Sequence, residues 1–278
     1  MMRTTPAERL ISLLTIGVLT AVVVGPITWA LVTSLKTEAN VITFPPSLWP
    51  SPATLASYVA VFRQQNFAIE LFNSVFYAIA SIALTLAVSV PAGYAASRLK
   101  FPAKRAVMLL ILATSMIPGV ALLIPTYFVL DAIGLLNNPV AIIVLQAARL
   151  VPQTVWFMQN FVDAVPMELD EATQVDGATR WQTFTRVILP LIKPGIAAAA
   201  VLGVISTWND YITVAAFAPD IARRTLQVAL VNQVFDSIGI TWSYVMAFAI
   251  ISSIPIVALF LVAQRWFIAG LTAGAVKG

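Results

Sequence analysis

The chain has 278 residues, of which 60% are hydrophobic and 10% charged, and its formal net charge is +4. A soluble domain carries about 25% charged residues, so the composition excludes an ordinary soluble enzyme and reads as a polytopic membrane protein. With no Cys and no His, it also excludes disulfides, thiolate chemistry and the usual zinc sites.

A bilayer core takes roughly 20 apolar residues of helix. Six stretches meet that length: Leu10–Thr33, Leu71–Ser97, Ala106–Leu130, Pro139–Phe161, Leu191–Val214 and Ser243–Gln264. The first is too long for a signal-peptide core and reads as a retained anchor. Each of the other five contains proline: Pro91, Pro118 with Pro125, Pro152, Pro194 and Pro255. Proline in a spanning helix frees a carbonyl that neighbours must satisfy. Two readings stand, simple accommodation or a bundle curved around a pathway. Gly195, Ala199 and Gly203 recur every four residues on the fifth span and predict close helix packing.

Six spans put both ends of the chain on one side. On that side fall Arg3, Arg9, Arg98, Lys100, Lys104, Arg105, Arg180, Arg186, Lys193, Arg265 and Lys277; the other side has Lys36, Arg63, Arg223 and Arg224 over longer loops. The bias of Lys and Arg toward the cytoplasm therefore places both termini there. The outward segment 34–70 reads as extended or turn-like around Pro45-Pro46, Pro50 and Pro52, with a short helix at Asn66–Glu70. The outward segment 215–242 reads as carrying a helix from Thr225 to Leu230.

Residues 163–190 lie between the fourth and fifth spans and are more organised than a connector requires. Pro166 suits a first helical turn, and Glu168, Asp170 and Glu171 suit the positive end of a helix. Gly177 is where that helix stops, because glycine adopts a left-handed backbone at little cost. Thr179 and Gln182 have the spacing of a capping box for a second helix. Helix, glycine turn, helix reads as a cytoplasmic docking element. The plainer reading is an amphipathic interfacial hairpin. DNA binding fits poorly, since two spans pin the loop and its first helix is acidic.

No Gly-x-x-x-x-Gly-Lys-Ser/Thr phosphate loop occurs, and no paired carboxylates lie in the spans. Energy for active transport must then come from a partner or an ion gradient. Arg149 falls near mid-bilayer, where an Arg costs roughly 2.5–3.5 kcal/mol on insertion scales and requires protein or water around it. It reads either as a polar contact in a substrate path or as half of a structural ion pair, with Asp210 as the candidate counter-ion. Trp208, Asn209 and Asp210, with Tyr211, form a polar-aromatic cluster that suits sugar hydroxyls and faces, or an interfacial aromatic belt.

The run Glu171-Ala172-Thr173, Asp176-Gly177-Ala178, then Phe184, Ile188-Leu189-Pro190 and Pro194-Gly195, resembles the EAA loop of ABC importer permeases. It departs at Thr173, where the family prefers Ala. The stretches Arg98 to Arg105, Leu150-Val151-Pro152, Trp208 to Tyr211, and Gln264 to Gly278 with its Gly270-Leu271-Thr272 resemble the carbohydrate-uptake branch and its MalG-like subunit. The resemblance implies an all-α membrane protein of the ABC type I importer permease fold, with six transmembrane helices and a cytoplasmic coupling-helix loop. Its parts would be an anchor and extracytoplasmic segment (1–70), a permease core (71–267) and a cytoplasmic tail (268–278). It implies a bacterial cell-membrane protein (inner or plasma membrane), multi-pass, that is not an enzyme and holds no cofactor of its own.

The partners it implies are a second homologous permease, two cytoplasmic ABC ATPase subunits that bind ATP and Mg, an extracytoplasmic solute-binding protein and membrane lipid, with no nucleic acid. Carried onto this sequence, Glu171, Ala172, Asp176, Gly177 and Ala178 would couple to the ATPase. Glu171 would be the ATPase-facing acid and Gly177 the turn that sets the angle of the two helices. A permease for glycerophosphodiesters is the nearest alternative. An ion-coupled secondary transporter is the alternative from another class; it requires intramembrane acids and inverted repeats, and Asp210 is the only acid near a span interior.

Overall fold

A computed structural model describes residues 6–235 and 241–275, and among them all regular structure is helical. In chain order the helices are α1 (Pro6–Ser34), α2 (Ala56–Arg63), α3 (Phe67–Arg98), α4 (Lys104–Thr114), α5 (Leu123–Ala132), α6 (Pro139–Asp163), α7 (Met167–Val175), α8 (Arg180–Thr183), α9 (Leu189–Leu191), α10 (Lys193–Trp208), α11 (Tyr211–Phe217), α12 (Leu226–Phe235) and α13 (Trp242–Ala275). Residues 276–278 of the C-terminal motif lie outside the described residues. Four helices are long and apolar enough to cross a membrane, and six spans result if each of two bent pairs counts as one. The chain divides into two compact units, residues 1–67 with 230–254, and residues 68–229 with 255–278.

In the first unit, α1 buries none of its apolar window within the chain. Beyond it the segment turns back through short irregular stretches, as its prolines predict. Lys36 is buried; its ammonium donates to the Ser47 carbonyl at 2.6 Å and lies 4.9 Å from the centre of the Trp29 ring. Glu38 accepts from the backbone N–H of Trp242 (3.0 Å) and Ser243 (3.2 Å) and from the Ser243 hydroxyl (2.7 Å). It thereby satisfies donors that the first turn of α13 leaves open and places a negative charge at its positive end. The short helix expected at Asn66–Glu70 forms instead at Ala56–Arg63, and Phe67–Glu70 are the first turn of α3.

The second unit is built on α3, α6 and α10. Among the described residues three apolar clusters hold it, one around Tyr77, Ile142, Val214 and Phe217, one around Tyr94, Met158, Val162, Phe184 and Ile188, and a smaller one of Ala96, Met108 and Val155. The small residues of α10 do what their spacing predicts. A Cβ on Gly195 would lie 2.5 Å from the Phe161 ring, and one on Gly203 would overlap the Ile82 side chain. Pro91, Pro152 and Pro255 sit inside continuous helices.

The expected third span, Ala106–Leu130, is not one straight helix. α4 stops at Thr114, and the chain resumes helix from Gly119 after a bend of 83°. Pro118 lacks an N–H and disfavours helical backbone at Ile117. The Thr114 and Ser115 hydroxyls satisfy the end of α4 by donating to the Ile111 and Leu112 carbonyls, both at 2.6 Å. The fifth span is likewise interrupted. α10 ends at Trp208, Asn209 and Asp210 break the helix, and α11 begins at Tyr211; at its other end α10 meets the α8–α9 segment at 71°. The predicted helix near 225–230 is present as α12, and its Leu226 N–H is held by the Ser74 hydroxyl at 2.8 Å.

Candidate functional site

Two features of the second unit carry the predicted functional residues. The first is the loop between α6 and α10. Pro166 precedes α7 in extended backbone, and Glu168 and Asp170 occupy its first turn. After Val175 the chain passes Asp176 and reaches Gly177 at φ +82°. Gly177 donates to the Gln174 carbonyl (3.1 Å) and Ala178 to the Thr173 carbonyl (3.0 Å). That pair of bonds is a Schellman closure, which requires the left-handed residue that glycine supplies most readily. The second helix opens on the expected capping box. The Gln182 side chain accepts from the Thr179 N–H at 2.7 Å, and the Thr179 hydroxyl accepts from the Gln182 N–H at 3.3 Å. Phe184–Ile188 then wind as a π-helical turn before α9.

The closure leaves Glu171, Ala172, Asp176 and Gly177 exposed and Ala178 half-buried. Beside them stand exposed apolar side chains, Met167, Leu169, Val175 (88% exposed) and Trp181 (67%). Acidic and apolar side chains thus stand side by side on the surface of the turn. Thr173 is the residue that departs from the family pattern, and it has a local role. Its hydroxyl donates to the Asp170 carbonyl (2.9 Å) and shares a hydrogen bond with the Thr183 hydroxyl (2.8 Å), tying α7 to α8.

The second feature is a cleft of about 670 Å³ between the α4–α5 break, α6 and the α10–α11 break. Leu145, Ala148, Arg149, Pro152 and Gln153 of α6 line it, one helical face by their spacing. Arg149 and Asp210 meet there, Nη2 to Oδ2 at 3.4 Å, with the Arg149 side chain 48% exposed and that of Asp210 4%. Asp210 is held from several directions. Its Oδ2 accepts from Gln146 Nε2 at 3.2 Å, and its Oδ1 caps α11 by accepting the Thr213 N–H at 3.2 Å. Gln146 in turn accepts from the Ser81 hydroxyl at 2.9 Å, so the carboxylate anchors a polar chain reaching α3. Arg149 also donates to Ser206 Oγ at 3.5 Å.

The rest of the predicted cluster is not brought together. Trp208 is buried in the chain, and Asn209 is exposed with its amide donating to the Ile205 carbonyl at 2.8 Å. Neither lines the cleft. Sequence reasoning missed Gln146, Gln153, Ser206 and the Thr114–Val120 break. Gln146, Arg149 and Gln153 recur at the spacing of one helix face, which was the available signal. Among the described residues no group of His, Cys, Asp and Glu could hold a metal ion.

Comparison with known proteins supplies the family. Residues 89–272 match the family described as binding-protein-dependent transport system inner membrane component. The chain is 34% identical over 254 residues to the sulfoquinovosyl glycerol transport system permease protein of Agrobacterium fabrum, covering 91% of this chain and 88% of that one. It is 34% identical over 267 residues to the trehalose transport system permease protein of Mycobacterium tuberculosis, covering 94% and 97%. The fold matches a chain in the crystal structure of a bacterial ABC transporter involved in the import of the acidic polysaccharide alginate, with TM-score 0.82, 23% identity, and 96% and 100% of the two chains covered. The chain belongs to the family of binding-protein-dependent transport system inner membrane components; it is an ABC transporter permease subunit and not an enzyme.

Proposed function

We propose, from that membership, that the chain forms one half of an ATP-driven pathway importing a sugar or sugar derivative, and that the 163–190 loop couples it to the ATPase. The observation that carries this reading is the exposed acid-and-apolar face of α7 and α8, closed by Gly177, on a chain with no nucleotide-binding motif of its own. Glu171, Ala172, Asp176, Gly177 and Ala178 form the coupling surface. ATP and Mg belong to two partner ATPase subunits. A second, homologous permease completes the pathway.

The Lys and Arg distribution supports a cytoplasmic loop and cytoplasmic termini. The outward segments 34–70 and 215–242 then receive the solute-binding protein. In the cleft, Arg149, Gln153, Ser206 and Thr126 offer the hydrogen-bonding groups that a hydroxyl-rich solute exchanges for water. Asp210 orients Arg149.

Co-purification from the native membrane, followed by an ATPase assay, tests the reading. Recovery of a second permease and an ATPase, with turnover stimulated by a sugar-loaded binding protein, is the expected result. Recovery of this chain alone, moving solute without ATP, overturns it in favour of a gradient-driven transporter.

A further inference from the structure

The coupling surface has a buried counterpart. Asp170 is one residue before Glu171 yet turns inward, its side chain 3% exposed. Its partner is Arg98, the last residue of α3, 8% exposed, with Nε donating to Asp170 Oδ2 at 2.9 Å. The same guanidinium donates through Nη2 to the Val165 carbonyl at 2.6 Å, on the strand of chain that enters α7. One turn earlier on α3, the Tyr94 hydroxyl faces Asp170 Oδ1 at 3.5 Å and the Tyr94 ring packs on Phe184 at 4.9 Å between centroids. Ser97 donates to the Asp163 carboxylate at the end of α6. The C-terminal turn of α3 thus grips the loop before α7, within α7 and after α8.

α3 is remote from the loop in sequence; 72 residues separate Arg98 from Asp170. A planar guanidinium that reaches two acceptors at once fixes orientation as well as distance. A buried charge pair also resists partial opening, because separating it leaves both charges without water. Thr173 passes the constraint on, since it bonds the Asp170 carbonyl and the Thr183 hydroxyl together. We infer that Arg98 and Asp170 are positioning residues that weld the coupling loop to α3, so that loop and α3 move as one body when the ATPase subunits close. This rests on the reading of the loop as the ATPase-docking element. In it, force enters at Glu171 and Gly177 and leaves along α3, which also carries Ser81 of the polar chain that ends at Asp210 in the cleft.

The test uses the whole transporter with cysteine-free partner subunits. Because this chain has no Cys, cysteines at Val88 on α3 and Val175 on α7, both exposed, give a unique pair for spin labels. The expected result is a single narrow 88–175 distance, the same without nucleotide and after trapping with ATP and vanadate. Arg98→Lys keeps the positive charge but not the two-acceptor fork, and it is expected to add a second distance in the trapped state. A shift of the distance on trapping in the otherwise unaltered protein overturns the inference with no variant needed. So does an Arg98→Lys protein whose distance stays single and narrow. The docking reading is tested separately by the Val175 label alone. A label equally mobile with and without the ATPase subunits refutes docking, and the weld falls with it; a label that they immobilise, together with a shifting 88–175 distance, refutes the weld and leaves docking standing.

Discussion

The Asp210 carboxylate accepts from Arg149, Gln146 and the Thr213 N–H, so its removal leaves a buried amide and a helix end without a partner, whereas removal of Arg149 breaks one half-exposed pair. Asp210→Ala is therefore expected to destabilise by about 2–3 kcal/mol and Arg149→Ala by about 1 kcal/mol or less. Denaturant titration of the purified complex measures both. A double-mutant cycle is expected to return a coupling energy of about 0.5–1 kcal/mol for the pair; zero coupling dismisses the ion pair and leaves Asp210 as a cap alone. At Gly177 the backbone is left-handed, and a β-branched side chain there costs roughly 1–2 kcal/mol and reorients the Schellman turn. Gly177→Val is expected to remain in the membrane at normal amount while uptake falls. Normal uptake by that variant contradicts the coupling role of the turn.

At the scale of the element, α10 depends on having no side chain at Gly203, because a Cβ there would overlap Ile82 of α3. Gly203→Leu is expected to lose at least about 2 kcal/mol by overpacking, read as a lower unfolding temperature, while Gly17 of α1, with open space around it, tolerates Ala without such a loss. The elements also mark what was legible beforehand. The end of α7 at Gly177 and the capping box at Thr179 and Gln182 were readable because their chemistry is local to a few residues. The α4–α5 break was not. Ala106–Leu130 carries no charge, and hydropathy averages across a bend that only Pro118 and the neighbouring hydroxyls announce. In the cleft, Arg149 and Asp210 were paired correctly because a mid-span charge requires a counter-ion. Trp208 is buried and does not line the cleft, since adjacency in sequence says nothing about which side of a broken helix a ring occupies. The Arg98–Asp170 bond was invisible for a similar reason: Arg98 reads as one of several cytoplasmic basic residues until the fold brings α7 beside it.

For the whole molecule, membership of an ABC transporter permease family places ATP hydrolysis on a partner subunit. In vesicles containing the full transporter, chelation of Mg is expected to abolish uptake while leaving the binding protein loaded, and adding this chain alone to vesicles is expected to give no uptake under an imposed ion gradient. Gradient-driven uptake in that second experiment favours the secondary-transporter class. The Glu38 clasp has a consequence for biosynthesis. Its backbone donors belong to Trp242 and Ser243, and Glu38 and Trp242 are 204 residues apart. At about 5–20 residues per second, a ribosome delivers them on the order of 10–40 seconds after Glu38. The unit begun first thus closes only after residues 68–229 of the other have been made, and a nascent chain that stalls before α13 has the Glu38 carboxylate without these donors.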